Sequence, residues 1–115
     1  MSRALGAQAE ARAAHFLQRK GYRILDRNWC CRGGELDLVC EDRDTIVFVE
    51  VRARRDGRHG TPGETVGGVK RGRLVRAAEL WLLKSKRGDV PCRFDVLAIE
   101  GDAVEHFEDA FSSSD

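Results

Sequence analysis

A chain of 115 residues has room for one domain with a real core and no more. With 42% hydrophobic and 34% charged residues, it reads as a soluble globular protein and not as a disordered one. No apolar run approaches the roughly 20 residues that span a bilayer. Arg3, Glu10 and Arg12 also interrupt the Ala-rich start before a signal-peptide core can form. The expected setting is therefore cytoplasmic, with no membrane partner.

The net charge of +1 conceals an asymmetry. Arg52 to Glu79 holds eight Lys/Arg against three Asp/Glu, whereas Glu100 to Asp115 holds six Asp/Glu and no Lys/Arg. A basic middle beside an acidic end points to an anionic partner for the middle, although solvated loop arginines account for the charge equally well. The four cysteines, Cys30, Cys31, Cys40 and Cys92, contain no CxxC pair, and adjacent residues are poor geometry for one zinc or one disulfide. Free buried thiols in a reducing compartment are expected.

Leu5 to Lys20 is predicted to be helical, with Gly6, Ala9, Ala13, Phe16 and Leu17 near the 3.6-residue period and Gly21 ending it after Arg19 and Lys20. Glu10 lies three residues before Ala13 and seven before Leu17, on the apolar side of that helix. Its place near the helix start is by itself accounted for by the macrodipole; the other account is a carboxylate aimed at a sheet.

Tyr22 to Asn28 reads as an edge-type strand, and Trp29 to Gly34 as a turn. Glu35 to Cys40 and Thr45 to Arg52 read as the two strands of a hairpin, joined by Glu41 to Asp44. Strand side chains alternate faces, so Glu35 and Asp37 share one face, and Glu50 and Arg52 share one face of their strand. Paired, these strands bring three carboxylates and a cation to one sheet edge. Acidic residues are poor strand formers and costly to bury, so their presence inside apolar runs suggests a site. The competing account is an ion-pair network in which Asp37 or Glu50 is bridged to Arg52.

Ala53 to Gly68, with Gly57, Gly60, Pro62, Gly63 and Gly67, reads as a mobile loop. Its Arg54, Arg55 and Arg58 suit a phosphate backbone, since cations there release counterions; solubilising arginines on a flexible connector are the plainer account. His59 is assigned no role. Val69 to Lys84 reads as the second long helix, with Leu74, Ala77, Ala78 and Trp81 as its core stripe. Lys70 shares that stripe and opposes the dipole in the first turn. It is either a cation directed at a nearby anion or a lysine whose stem packs while its head reaches water. Cys92 to Ile99 reads as an interior strand, Val104 to Phe107 as a short last strand, and the segment from Ser112 as a frayed tail. The order α-β-β-β-α-β-β predicts an α/β fold, a mixed central β-sheet flanked by helices, in one domain over 1–115.

Asp37 together with Glu50-Val51-Arg52, 13 positions on, resembles the PD-(D/E)xK nuclease signature. A longer set is similar to the UPF0102 (YraN-like) bacterial family: Gly6, Glu10, Ala13, Phe16-Leu17, Gly21-Tyr22, Asn28, Gly34 to Leu38, Val47 to Arg52, Lys70, Ala77-Ala78, Arg93 to Val96 and Phe111. That resemblance implies a restriction-endonuclease or Holliday-junction-resolvase-like fold and a metal-dependent endonuclease that hydrolyses phosphodiester bonds in DNA, branched DNA included. It also makes a homodimer plausible. Carried across, Glu10, Asp37 and Glu50 form the acidic site with Glu35 beside it, and Lys70 matches a basic position.

The chemistry expected of these residues follows. Asp37 and Glu50 hold Mg²⁺ (or Mn²⁺), with the Val51 carbonyl completing the shell. Arg52 and Lys70 face the developing charge. Arg54, Arg55, Arg58, Lys70, Arg71 and Arg73 contact the nucleic acid. Arg52 is a departure, because the family pattern has Lys there. Its fork binds phosphate oxygens, but it stays protonated and cannot act as a base. Metal-bound water can supply the hydroxide, Lys70 can substitute, or the chain is a nuclease-fold DNA-binding protein that cleaves weakly or not at all. A protein-interaction domain docking through the acidic end is the remaining class.

Overall fold

The computed structural model describes residues 3–54 and 68–112, and the side chains of 8–53 and 68–112. The elements are α1 (Arg3–Arg19), β1 (Arg23–Cys31), β2 (Gly34–Asp42), β3 (Thr45–Arg54), α2 (Gly68–Ser85), β4 (Cys92–Glu100) and β5 (Ala103–Phe111). This is the expected element order. Most of the loop expected over 53–68, with Arg55, Arg58 and His59, lies outside the described residues, as does the tail beyond 112.

Helix α1 stops where its sequence dictates. Gly21 takes φ +95°, which an L side chain rarely adopts. The Gly21 amide donates to the Gln18 carbonyl and the Tyr22 amide to the Leu17 carbonyl, both at 3.0 Å. This is a Schellman cap, and it seats Tyr22 beside Leu17 in the core.

Two strands are longer than expected. Trp29 to Cys31 belong to β1 and pair with Leu36 to Gly34, because the turn needs only Arg32 and Gly33, the latter at φ +88°. The last strand runs from Ala103 to Phe111 instead of Val104 to Phe107. Its acidic residues Glu105, Glu108 and Asp109 are exposed while Phe111 is buried, so the charges lie on the solvent side of a real edge strand.

The sheet order is β1-β2-β3-β4-β5, antiparallel throughout except for the parallel pair β3–β4, between which α2 intervenes in the chain. Alternation along β3 sorts the core into two layers. Val47, Val49 and Val51 meet Ala9, Ala13 and Leu17 of α1. Ile46 and Phe48 meet Leu74, Ala77, Ala78 and Trp81 of α2. Phe48 stands edge-on to Trp81 and stacks on Phe94, which stacks on Phe111, so one aromatic row ties α2 to β5. Covered on both faces, β3 is a rigid support for whatever projects beyond Phe48 and Val49.

All four cysteines are free, but only Cys40 is buried. Cys30 and Cys92 are exposed, because both stand at strand ends, so the expectation of buried thiols holds for one of the four. Among the described residues no helix is long and apolar enough to cross a membrane.

Candidate active site

The site forms where β2 leaves β3. Their pairing ends at Leu38↔Val49. One residue further, an Oδ2 oxygen of Asp37 accepts the Val51 N–H at 2.9 Å, standing where a strand carbonyl would have been. The break extends to β1, where paired positions step from Arg27↔Leu38 to Trp29↔Leu36 across Asn28, a residue at φ +49°. Asn tolerates that left-handed conformation better than most residues. Leu38 packs in the α1 layer and Leu36 in the α2 layer, although residues two apart in a regular strand share a face. The chain therefore twists through Asp37 and opens a gap at the sheet edge.

Glu50 projects into that gap from β3, on the same face as Phe48. It is 7% exposed, and its Oε1 lies 2.6 Å from Lys70 Nζ and 3.7 Å from Arg52 Nε. Burial and the negative charge of Glu50 push the Asp37 carboxyl up to about 7; Glu10 adds to this and the Val51 amide opposes it. A pocket of about 370 Å³ is lined by Glu10, Glu35, Asp37, Glu50, Val51, Arg52, Ala53 and Lys70. All six residues expected to carry chemistry thus line one opening. Glu10 reaches it from α1, Glu35 and Asp37 from β2, Glu50 and Arg52 from β3, and Lys70 from the first turn of α2.

The donor set suits a hard divalent ion. Among the described residues no three His, Cys, Asp or Glu side chains make a ready metal cluster. What the pocket offers instead is Asp37, Glu50 and a backbone oxygen. In a strand the N–H and C=O of one residue point the same way, so the Val51 carbonyl shares the open edge on which its amide meets Asp37. One or two carboxylates plus carbonyl, water and phosphate oxygens is the shell Mg²⁺ prefers. An acid pair that burial and mutual repulsion push toward protonation is also one that a cation relieves.

The expected nucleic-acid contacts divide. Lys70 is on the pocket rim, Arg73 lines a cleft beside it, and Arg71 is half-buried on the same stretch of α2. The side chain of Arg54, and all of Arg55 and Arg58, lie outside the described residues.

A second polar cluster is absent from the sequence reading, which takes Cys92–Ile99 as an apolar strand. Asp95, in its middle, is 0% exposed. It accepts from Arg93 Nε at 3.0 Å, from His106 Nε2 at 2.7 Å and from the Asp109 amide at 2.9 Å. Lys20 Nζ, which can only donate, sits 2.8 Å from His106 Nδ1 and so fixes Nε2 as the ring donor. Arg93 also reaches Asp42, Glu108 and the Tyr22 hydroxyl. Burial works against the Asp95 charge, yet the bonds from His106, Arg93 and the Asp109 amide hold its carboxyl below the usual range. The signal available in the sequence is Arg-x-Asp inside an apolar strand, a charge pair costly to bury without partners.

The chain matches the model of the uncharacterised protein family UPF0102 over residues 9–99. It is 55% identical over 97 residues to a UPF0102 protein of Pseudomonas syringae pv. tomato, covering 84% of this chain and 76% of that one. It is 51% identical over 112 residues to one from Anaeromyxobacter dehalogenans, covering 94% and 84%. Over 100 residues it is 49% identical to one from Symbiobacterium thermophilum, covering 87% and 85%. The matched span runs from α1 through β4 and holds every residue of the acidic pocket, and the chain belongs to the UPF0102 family.

Proposed function

We propose that the protein is a Mg²⁺-dependent endonuclease that hydrolyses phosphodiester bonds in DNA. The observation that carries this reading is the gathering of Asp37, Glu50 and the open edge of Val51 at one strand break, with the Asp37 carboxyl pushed up by burial and by Glu50. Asp37, Glu50 and the Val51 carbonyl would hold the ion. When bound, Mg²⁺ or Mn²⁺ polarises the phosphate and lowers the pKa of a coordinated water.

The chain's own residues do the rest. Lys70 and Arg52 both lie against Glu50, so a phosphate entering the pocket meets two cations already aimed at its oxygens. Arg52 clamps and does not take a proton, since guanidinium stays charged. Glu10 and Glu35, on opposite walls, orient water at the pocket mouth. The setting we propose is the cytoplasm, and the homodimer plausible for a resolvase-like fold is checked by sedimentation.

The test is incubation with labelled duplex, single-stranded and four-way-junction DNA in Mg²⁺, Mn²⁺ or EDTA, with Asp37→Asn and Glu50→Gln alongside. Metal-dependent cutting that both variants lose is the expected outcome. Cutting that survives both substitutions, or proceeds in EDTA, sinks the reading.

A second reading rests on the Lys70–Glu50 ion pair. At 2.6 Å, Lys70 already occupies the Glu50 oxygen that a metal would use, and Arg52 stands at the motif's Lys position. A nuclease-fold protein that binds DNA without cutting it accounts for both. It predicts binding with steep salt dependence and no metal requirement. Cutting gained by Arg52→Lys would then identify the missing group.

A further inference from the structure

Beside the acidic pocket lies a larger cleft of about 960 Å³, and the two share Glu35, Glu50 and Lys70. One wall is the tip of the β1–β2 hairpin, with Cys30, Cys31, Gly33 and Gly34. The other is the start of α2, with Gly68, Val69, Lys70, Arg73 and Leu74. At the floor the walls touch: a Cβ on Gly34 would meet the Arg73 carbonyl at 3.0 Å. The cleft is therefore closed below and opens toward the acidic pocket.

Its walls are chemically sorted. Val69 is 73% exposed, an apolar side chain left in solvent at the cleft wall. With Leu74, the two glycines and the cysteines it makes a surface of low polarity. Lys70 stands where the cleft meets the acidic pocket, and Arg73 lies deeper in the wall. We propose that this cleft receives one unpaired nucleotide of the DNA strand next to the phosphate held in the acidic pocket; the proposal rests on that pocket binding a phosphodiester. The base lies against Val69 and Leu74, and Lys70 and Arg73 meet the flanking phosphates.

The size fits, since 960 Å³ lies within the roughly 300–1,000 Å³ of sites that enclose a small molecule. A paired base cannot enter such a cleft without first leaving the stack, which costs energy that an unpaired base does not spend. The substrate class that follows is DNA with an unpaired nucleotide beside the target phosphate: single strands, flaps, mismatches and branch points, ahead of intact duplex.

The test measures binding and not cutting. Wild-type protein in Ca²⁺ is titrated by anisotropy against a labelled single-stranded DNA, the matched duplex and the same duplex with one unpaired nucleotide, and against single-stranded RNA. Val69→Asp, which places an anion in the cleft, and Val69→Ile, which does not, are run in parallel. Expected is a preference of about tenfold for unpaired DNA, lost in Val69→Asp and kept in Val69→Ile, with duplex binding within about twofold in all three. A 2-aminopurine at the unpaired position changes emission on binding to the wild type and not to Val69→Asp. Equal affinity for duplex and unpaired DNA, equal losses on both from Val69→Asp, or tighter binding of RNA overturns the proposal. Discrimination without cutting keeps the cleft and removes the nuclease; cutting of duplex indifferent to Val69→Asp does the reverse.

Discussion

Asp37 and Asp95 are two versions of one structural device with opposite electrostatics. Each sits where strand register breaks, and each accepts a backbone N–H from the next strand at 2.9 Å, from Val51 and from Asp109. A left-handed residue marks each break, Asn28 at φ +49° and Asp109 at φ +53°. The difference lies in what else faces the carboxylate. Asp95 meets Arg93 and His106, and its carboxyl is held below the ordinary range. Asp37 meets Glu50 and Glu10, and its carboxyl is pushed up. A buried carboxylate with cationic and hydrogen-bond partners holds a fold together, whereas one faced by further acids weakens it and is retained for something that binds there.

The largest expected effect lies on the compensated side. Asp95→Asn leaves Arg93 buried beside a neutral amide and should cost about 2–4 kcal/mol in urea unfolding at pH 7. The folded Asp95 carboxyl titrates below its ordinary 3.8, so its contribution is present above that pH and is lost as pH falls through the folded value. The gap between wild type and variant should therefore close in acid. A gap that stays constant from pH 7 down to pH 3 would assign the loss to packing and break the comparison.

Asp37→Asn should act with the opposite sign. The folded carboxyl binds its proton up to about pH 7, against 3.8 ordinarily, so the folded state holds more protons than the unfolded one between those values. Stability then falls as pH rises through this window, and the cost is fully present above it. Removing the charge should raise stability by about 1–2 kcal/mol at pH 8 and change nothing at pH 4. Thermal unfolding of both proteins at the two pH values checks this, and a variant destabilised at pH 8 would mean that Asp37 is structural after all.

The two sites differ equally in how far the sequence betrays them. Asp37, Glu50 and Arg52 are legible because the β2–β3 hairpin is local, and alternation across 13 positions puts them near one edge. The helices and the interior strands follow from period and caps, as Gly21 does at the end of α1. What periodicity misses is the twist at Asp37, since alternation assigns Leu36 and Leu38 to one face and the structure assigns them to two. The Asp95 cluster is hidden for another reason. Its Tyr22 and Lys20 come from 71 and 86 positions away from their partners Arg93 and His106, and no local pattern reports which distant side chain will meet a buried charge. The irregular tail of β5 is obscured likewise, because a register break at Asp95 shifts which of its residues face inward.

Mg²⁺ should sharpen the comparison further. At about ten times its dissociation constant, an ion that binds only the folded acidic pocket adds about 1.4 kcal/mol. Wild type and His106→Gln should both gain this increment, and Asp37→Asn should not, as read by thermal unfolding with and without Mg²⁺. An increment that survives Asp37→Asn would place the ion elsewhere.

The smallest effect asks whether the Asp95 cluster is one unit or a set of separate bonds. Tyr22 is the outermost buried member: its ring packs beside Leu17, and its hydroxyl accepts from Arg93 and donates to Glu108 at 2.9 Å. Tyr22→Phe removes only the hydroxyl, and the Schellman cap remains because it is made by the Tyr22 backbone amide. One such hydrogen bond is worth about 1 kcal/mol net, so that is the expected loss in urea unfolding. In the background of Asp95→Asn the Arg93 guanidinium is no longer held at Asp95, and the same hydroxyl should matter less. A double-mutant cycle with a coupling of about 0.5 kcal/mol or more would show Arg93 passing its orientation from Asp95 to Tyr22, and so tying the end of α1 to β4. Additivity within a few tenths of a kcal/mol would show instead that Asp95 is satisfied locally, by Arg93, His106 and the Asp109 amide, and that Tyr22 is an independent bond at its rim.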